Sequence, residues 1–513
     1  MTKAPSSRQK RVVVVGAGLG GLAAAASLRA EGFEVRVVEK NDKIGGKLNY
    51  REIDGYGFDL GPSIFTLPQF FESIWTRAGR RMEDYVGLEK VSPHWRNFFE
   101  DGLVLDLYEE PGRMKSELAK LPGDPEKLWR QFEAFLAYGR EQYQLVDEGY
   151  FREGLDNLWE MLRYYGWRLI FKMDHRNSMA QSIAKHFEEE HLRRIFEYFI
   201  KYVGSSALDA PGYMNLMPLI QFDYGLWYVK GGMYNLARGL GRLLDDLGVP
   251  VSLDSEVASI DRNGKRVAGI TLASGEKIEA DYVVCNMEVI PAYRRLLSEP
   301  PEFLQKLRKF RPACSGIVLH LGTDRVYEQL AHHNFFYSRN QHKHFDTVFQ
   351  QGKLPEDPTI YLVAPTRTDP TKAPPGHDNL KILPHIPPID PENPFTHDDY
   401  VALKERVVDK LERMGLTDLR KHTVVEDLLT PVDIERMYHS NRGSIYGVVS
   451  DWKVNQAFKM PKQSSKYRNL FFTGGSVNPG GGMPMAVLSG QKVCDRILKE
   501  EARSAWPVSP PAA

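Results

Sequence analysis

The chain has 513 residues, 42% hydrophobic, 11% aromatic and 26% charged, which supplies apolar material for several packed units and excludes a disordered polypeptide. Lys plus Arg and Asp plus Glu both number 67, so the formal net charge is zero and no global field draws the protein to nucleic acid or to an anionic bilayer. Three scattered cysteines, Cys285, Cys314 and Cys494, form no CxxC pair, which argues against a disulfide framework or a zinc site and fits a reducing compartment such as the cytoplasm.

In chain order, Lys3, Arg8, Lys10 and Arg11 ahead of an apolar run imitate a secretory signal, but the same residues make a better strand, turn and helix. Arg11 to Val15 is dominated by β-branched residues and reads as a strand buried on both faces of a parallel sheet. Gly16, Gly18 and Gly21 follow at GxGxxG spacing, with a helix expected over 22–30 and a second strand over 33–38 that ends at Glu39. In such a unit the first glycine makes the turn, the second admits a pyrophosphate, and the third lets helix and strand pack closely. The phosphate then faces the helix N-terminus, and the acid, Glu39, holds ribose hydroxyls. Next, Gly45 and Gly46 can take backbone angles closed to other residues, and Lys47 can offset phosphate charge.

Residues 100–220 show helical spacing, notably in LWRQFEAFLAYGREQY and GLDNLWEMLRYYGWRLIFKM. In the second stretch Trp159, Leu162, Tyr165 and Trp167 stand among Arg163, Arg168 and Lys172. The first reading of such a helix is packing into its own core, and the second is docking in a membrane interface. Strands with turns at Asn263-Gly264 and Ser274-Gly275 are expected over 257–284, and further strands at TIYLVAP and LKILPHIP within 330–440. His332, His333, His342 and His344 lack an acid or cysteine at metal-binding spacing and are expected at the surface or in loops. Cys314 and Ser315 have no nucleophile-elbow context, so nothing supports a hydrolase. No stretch reaches the roughly 18 apolar residues of a spanning helix. The chain closes on NLFFTGGSVNPGGGMPM and a terminal helix.

The segment from Glu39 to Ser63 resembles the extended flavin-binding opening of the amine oxidase and phytoene desaturase superfamily, and Lys47, Asp59, Gly61 and Pro62 match it. Two downstream returns also resemble that superfamily. In the first, Val257 lies on a strand whose backbone meets the adenine; in the second, Gly474, Gly475, Gly480, Gly482, Met483 and Pro484 match a turn that meets the pyrophosphate and a helix start that meets the flavin ring. Amine oxidases usually carry an acid where Gly475 stands, a departure that favours the carotenoid branch. Almost the whole chain looks like the bacterial carotenoid desaturase and oxygenase family. GGGMPM and KILPHIP look closer to the 4,4'-diapolycopene and 4,4'-diaponeurosporene oxygenases, which oxidise a terminal methyl of a C30 carotenoid, than to the phytoene desaturases.

The resemblance implies an α/β fold: a Rossmann-like FAD-binding domain with an inserted mixed-sheet substrate domain and a helical, membrane-associating insertion. It divides the chain into FAD-binding parts at 1–100, 221–300 and 441–513, a helical substrate or membrane-associating region at 101–220, and a substrate-binding domain at 301–440. FAD is the implied cofactor, held by Gly16, Gly18, Gly21, Glu39, Lys40, Gly45, Gly46, Lys47, Gly61, Pro62, Val257, Gly474, Gly475, Gly482, Met483 and Pro484. A hydrocarbon polyene offers nothing for an acid or base to hold, so no catalytic side chain and no metal are expected, and the flavin carries the chemistry. Tyr228, Tyr446 and Trp452 line the channel or belong to the core. The implied partners are an acyclic carotenoid and, peripherally, the inner face of the cell membrane, with no nucleic acid. Alternatives are a carotenoid desaturase, a flavin-free lipid escort on the same fold like the Rab GDP dissociation inhibitors, and a polar-amine oxidase, the last opposed by the missing acid at Gly475.

Overall fold

The computed structural model describes residues 9–170 and 172–505; Lys3 and Arg8 lie outside them. Arg11–Val15 is the middle strand of a five-stranded parallel sheet, flanked by Tyr282–Cys285 on one side and Glu34–Val38 on the other, with Leu470–Phe472 and Val251–Ser252 at the edges. Pairing on both edges and burial on both faces explain the run of valines: Val12, Val13 and Val14 are all buried. The first helix spans Leu19–Ala30, three residues earlier than the spacing predicts. Gly18 already serves as the extended residue before it, and Gly20 and Gly21 fall within its first turn. This helix packs against the terminal helix, Met483–Ala505, at a glycine crossing where a side chain on Gly490 would meet the backbone of Gly20 and Ala24.

A three-stranded antiparallel sheet, Val257–Asn263, Arg266–Leu272 and Lys277–Glu279, turns at Gly264 and Gly275, both at positive φ as the Asn-Gly and Ser-Gly pairs require. A third sheet has eight strands and takes in Thr423–Leu429, Val318–Thr323, Asp378–Ile386, Ile360–Val363, His333–Phe336, Trp95–Phe98 and Val104–Leu107 in that order, with Ser315–Gly316 paired to Asp378–Ile386. The TIYLVAP and LKILPHIP stretches are its interior strands. The hairpin of Trp95–Phe98 and Val104–Leu107 belongs to this sheet and straddles residue 100, where the sequence had placed a boundary.

The helical region contains Pro125–Val146, capped by the Asp124 carboxylate on the Glu126 amide, and Leu158–Ile170, broken at Gly166 with φ 68° and ψ 174°. Packing into the core fails as a reading for Trp159 and Trp167, which are 81% and 73% exposed. Tyr165 turns inward, its hydroxyl accepting from the Gly149 amide. Among the described residues no helix is long and apolar enough to cross a membrane.

The surface reading of the histidines holds only for His342, which pairs with Glu197 at 3.0 Å. His332 and His333 open or precede an interior strand and His344 lies on the inner face of Gln341–Phe345, so all three are buried. Burial disfavours their charged forms, pushing His332 down to about 3 and His344 to about 4. A folded-state pKa below the unfolded value gives stability that is present above about 6.5 and is lost as pH falls toward 4. Replacing His344 with Phe therefore removes about 2 kcal/mol of the stability difference between pH 7 and pH 5. Urea unfolding at the two pH values measures this; an unchanged difference would contradict it.

Candidate functional site

A continuous cavity of about 600 Å³ runs from the carboxyl ends of the parallel strands to the eight-stranded sheet, a size at which small-molecule sites are usual. Its nucleotide end is built on the glycine turn. Gly16 has φ +95°, and its amide donates to the Val38 carbonyl at 2.7 Å, which ties the turn to the neighbouring strand. Gly18 lies so close to Asn286 that a Cβ would come within 2.5 Å of the Asn286 amide nitrogen. Gly21 does not line the cavity; a Cβ there would overlap the Gly16 carbonyl oxygen, so this glycine sets helix-to-strand packing. Glu39 is buried, and its two carboxylate oxygens accept from the Ala17 amide at 2.7 Å and the Asn41 amide at 3.0 Å while the residue still faces the cavity. Each oxygen keeps a lone pair for a further donor.

Gly45 and Gly46, both at positive φ, run beside this turn: the Gly45 amide donates to the Ala17 carbonyl, and a Cβ on Gly46 would lie 3.0 Å from Gly18 Cα. Lys47 is half-buried and paired. Its Nζ pairs with Glu288 at 2.9 Å and donates to the Ser444 carbonyl at 2.8 Å. Lys40 donates to the Arg436 carbonyl at the cavity edge, and burial lowers its pKa. A side chain at Gly61 would overlap the Lys47 carbonyl, and Pro62 follows on the wall. Asp59 is half-buried, desolvation raises its pKa, and it accepts from the Met233 and Tyr234 amides at 3.1 and 3.2 Å, fixing the VKGGM turn. Val257 and its neighbours Glu256 and Ala258 form the far wall.

The last return closes the opposite side. Gly474 has φ +95° and its amide donates to Ser489 Oγ at 2.8 Å; Gly475, Gly482, Met483 and Pro484 all face the cavity, and Met483 opens the terminal helix. Gly480 has φ +128° beside the Lys459 side chain. Beyond this turn the walls become apolar and aromatic. Tyr446 and Trp452 line the cavity, whereas Tyr228 is core, edge-on to His332 at 4.9 Å.

Several residues on this wall carried no signal in the sequence reading. Asn286 ends the Tyr282–Cys285 strand, touches the glycine turn and accepts from Thr473 Oγ1 at 3.1 Å. Its place at the carboxyl end of a parallel strand was the available clue. Glu288 brings a carboxylate to Lys47 from a distant segment and also accepts from the Asn441 amide at 2.9 Å. Lys381, pushed down to about 8 by burial, donates to Ser63 Oγ, and Lys459, pushed down to about 7, donates to Ser450 Oγ. Lys201 joins them on the wall. Among the described residues no cluster of His, Cys, Asp or Glu could hold a metal ion, and all three cysteines are buried and free.

Backbone amides at two glycine turns, a buried acid at a strand end and a continuous cavity are what a dinucleotide-sized group needs, and side chains are excluded where such a group must approach the backbone. The chain is 54% identical to a 4,4'-diapolycopene oxygenase of Methylomonas sp over 497 residues, which cover 96% of this chain and 99% of that protein. It is 48% identical to a 4,4'-diaponeurosporene oxygenase of Staphylococcus haemolyticus (strain JCSC1435), covering 96% and 98%. Among solved structures, putrescine oxidase bound to putrescine superposes with a TM-score of 0.64 at 16% identity, covering 96% of this chain and 99% of that one, a likeness of fold alone. The model of flavin containing amine oxidoreductases matches residues 19–498, and a flavin is the cofactor that family implies. With the glycine turns, the strand-end acid and near full-length relatives in agreement, this chain belongs to the flavin containing amine oxidoreductase family.

Proposed function

We propose that this protein is an FAD-dependent oxidoreductase that converts a terminal methyl group of an acyclic C30 carotenoid, 4,4'-diapolycopene or 4,4'-diaponeurosporene, to an aldehyde. The observation that carries this reading is the likeness to a diapolycopene oxygenase across nearly the whole of both chains. A cavity whose inner end is apolar and aromatic supports it. The two glycine turns, at 16–18 and 474–475, would hold the pyrophosphate, Glu39 the ribose hydroxyls, and the Val257 backbone the adenine, all of them on the cavity wall. Gly45, Gly46, Gly61 and Pro62 let the backbone approach, Lys47 and Lys40 set the local charge, and Gly482, Met483 and Pro484 place the start of the terminal helix beside the ring. When bound, the flavin would supply hydride acceptance, and the aldehyde oxygen has to come from a co-substrate, dioxygen or water. The protein's share is to hold one allylic carbon at the ring, which the aromatic wall of Tyr202, Tyr361 and Tyr446 would do. Extraction of the bound cofactor checks FAD against FMN. Anaerobic addition of a C30 polyene should then bleach the flavin; a protein that binds no flavin when supplied with excess would instead be a lipid escort.

The same reading includes peripheral attachment to the inner face of the cell membrane, where the substrate dissolves. It is supported by the Leu158–Ile170 helix, whose Leu158 and Met161 line the cavity while Trp159, Tyr164 and Trp167 are exposed, at 81%, 49% and 73%. Exposed indoles beside Arg163 and Lys172 suit a headgroup interface, and this helix would deliver substrate to the cavity without an aqueous step. Burying an apolar side chain contributes about 1.5–3 kcal/mol. The W159S/W167S double variant should therefore bind anionic vesicles roughly tenfold or more weakly in flotation while keeping its flavin. Undiminished flotation would contradict this face.

A further inference from the structure

Lys201 is a buried lysine whose amine meets aromatic rings and, among the described residues, no hydrogen-bond acceptor. It sits on the short Phe199–Val203 turn, is 4% exposed and faces the cavity. Its Nζ lies 3.9 Å from the ring centre of Tyr361, 4.6 Å from Phe335, 4.9 Å from Tyr202 and 5.1 Å from Trp95. Among the described residues no carboxylate, carbonyl or hydroxyl accepts a hydrogen bond from it. The other buried lysines are satisfied: Lys372 by the Gly231 carbonyl, Lys381 by Ser63, Lys459 by Ser450, Lys410 by Asp357 and the Tyr337 carbonyl, Lys462 by Asp156. The titratable neighbours of Lys201 are His333 and His385, both held neutral by burial, and tyrosines whose pKa values burial raises. None is an anion.

Rings attract an ammonium but accept no strong hydrogen bond, and a buried donor left unpaired is costly. A hydrocarbon chain in the cavity would leave the Lys201 N–H bonds as bare as before. An oxygen atom on that chain would not. The position is apt, because the next residue, Tyr202, presents its carbonyl 3.7 Å from where a Cβ on Gly482 would stand, at the turn that opens the terminal helix.

We propose that Lys201 is the hydrogen-bond donor to the oxygen of an oxidised polyene terminus, so that the cavity holds an alcohol or aldehyde end in preference to a hydrocarbon end. The proposal rests on the carotenoid reading above and makes Lys201 a specificity-determining residue. The amine has N–H bonds to donate whether or not it is protonated. A chain oxidised once is thereby retained for the next oxidation, and the alcohol does not leave as the main product.

The test uses the flavin-loaded protein, reduced and anaerobic so that nothing turns over. A C30 polyene with one terminal aldehyde and the same polyene without oxygen are titrated in identical mixed micelles, read by quenching of tryptophan fluorescence and by the absorption maximum of the bound aldehyde. The wild type should favour the aldehyde by about tenfold or more and shift its absorption to the red, as a hydrogen bond to the carbonyl requires. Lys201→Met, which keeps the stem and loses the donor, should abolish both the preference and the shift. Lys201→Gln, whose amide still donates, should restore part of each, and it carries the comparison if the methionine variant loses flavin. Equal preference in the wild type and Lys201→Met, or no preference in the wild type, overturns the proposal. If neither polyene binds the wild type, the carotenoid reading itself fails and the role of Lys201 falls with it.

Discussion

Gly21→Val yields a protein that purifies with less than about a tenth of the wild-type flavin. The Cβ it introduces overlaps the Gly16 carbonyl oxygen and stands 3.2 Å from Asn286 Cβ, and neither group can yield, one being backbone and the other fixed at a strand end. The Leu19–Ala30 helix must therefore back away from the Arg11–Val15 strand, which separates the Gly16–Gly18 amides from the Gly45–Gly46 segment beside them. Overpacking of this kind costs about 1–3 kcal/mol in stability, but displacement of a phosphate cradle by about 1 Å costs far more in binding. The ratio of flavin to protein absorbance after purification with excess cofactor measures it. Gly32→Ala is the control: that glycine is also at positive φ, yet a Cβ there meets nothing within 4 Å, so the variant loses only about 1 kcal/mol and keeps its flavin. Normal flavin content in Gly21→Val would contradict the role given to the third glycine.

The largest loss of stability is expected from Asp156→Ala. The Asp156 side chain is 2% exposed and faces Lys462, whose side chain is fully buried, and Arg496 at 2.8 Å. It also accepts from the Lys462 amide, while Asn478 donates to its backbone carbonyl at 3.1 Å. Asp156 thus pins the approach to the exposed-tryptophan helix onto the segment that leads into the last glycine turn. Truncating it leaves the Lys462 ammonium buried without an anion, for which the expected cost is about 3–5 kcal/mol. Denaturant unfolding would read this directly. The D156L/K462M double variant removes both charges and should recover most of the loss; a double variant as unstable as Asp156→Ala would show that shape, and not the uncompensated charge, dominates.

The nucleotide end was legible because its chemistry is local. Three glycines, a run of valines and Glu39 lie within 29 residues of Arg11, and each has a spacing rule tied to one strand, one turn and one helix. The two later returns were reached only through the family resemblance, because Val257 on its strand and the Gly474–Gly475 turn carry no spacing rule of their own. Asn286, Glu288 and Lys201 were not, because each acts on a residue far away in sequence: Asn286 on Gly18, Glu288 on Lys47, Lys201 on rings from three separate segments. The histidines misled in the opposite direction. His332 and His333 look like a polar pair in a loop, but they lie where an interior strand is buried on both faces, so both rings point into protein. Trp159 and Trp167 were misread by the converse rule, since their helix buries Met161 and presents its indoles outward.

The measurement that tests the account most directly is expression in a host that accumulates 4,4'-diapolycopene, followed by mass spectrometry of the extracted pigments. Oxygen should be added at a terminal carbon, with an aldehyde as the principal product. Pigment that only loses hydrogen pairs would make the protein a desaturase, and unchanged pigment beside a fully flavin-loaded protein would contradict the carotenoid assignment itself.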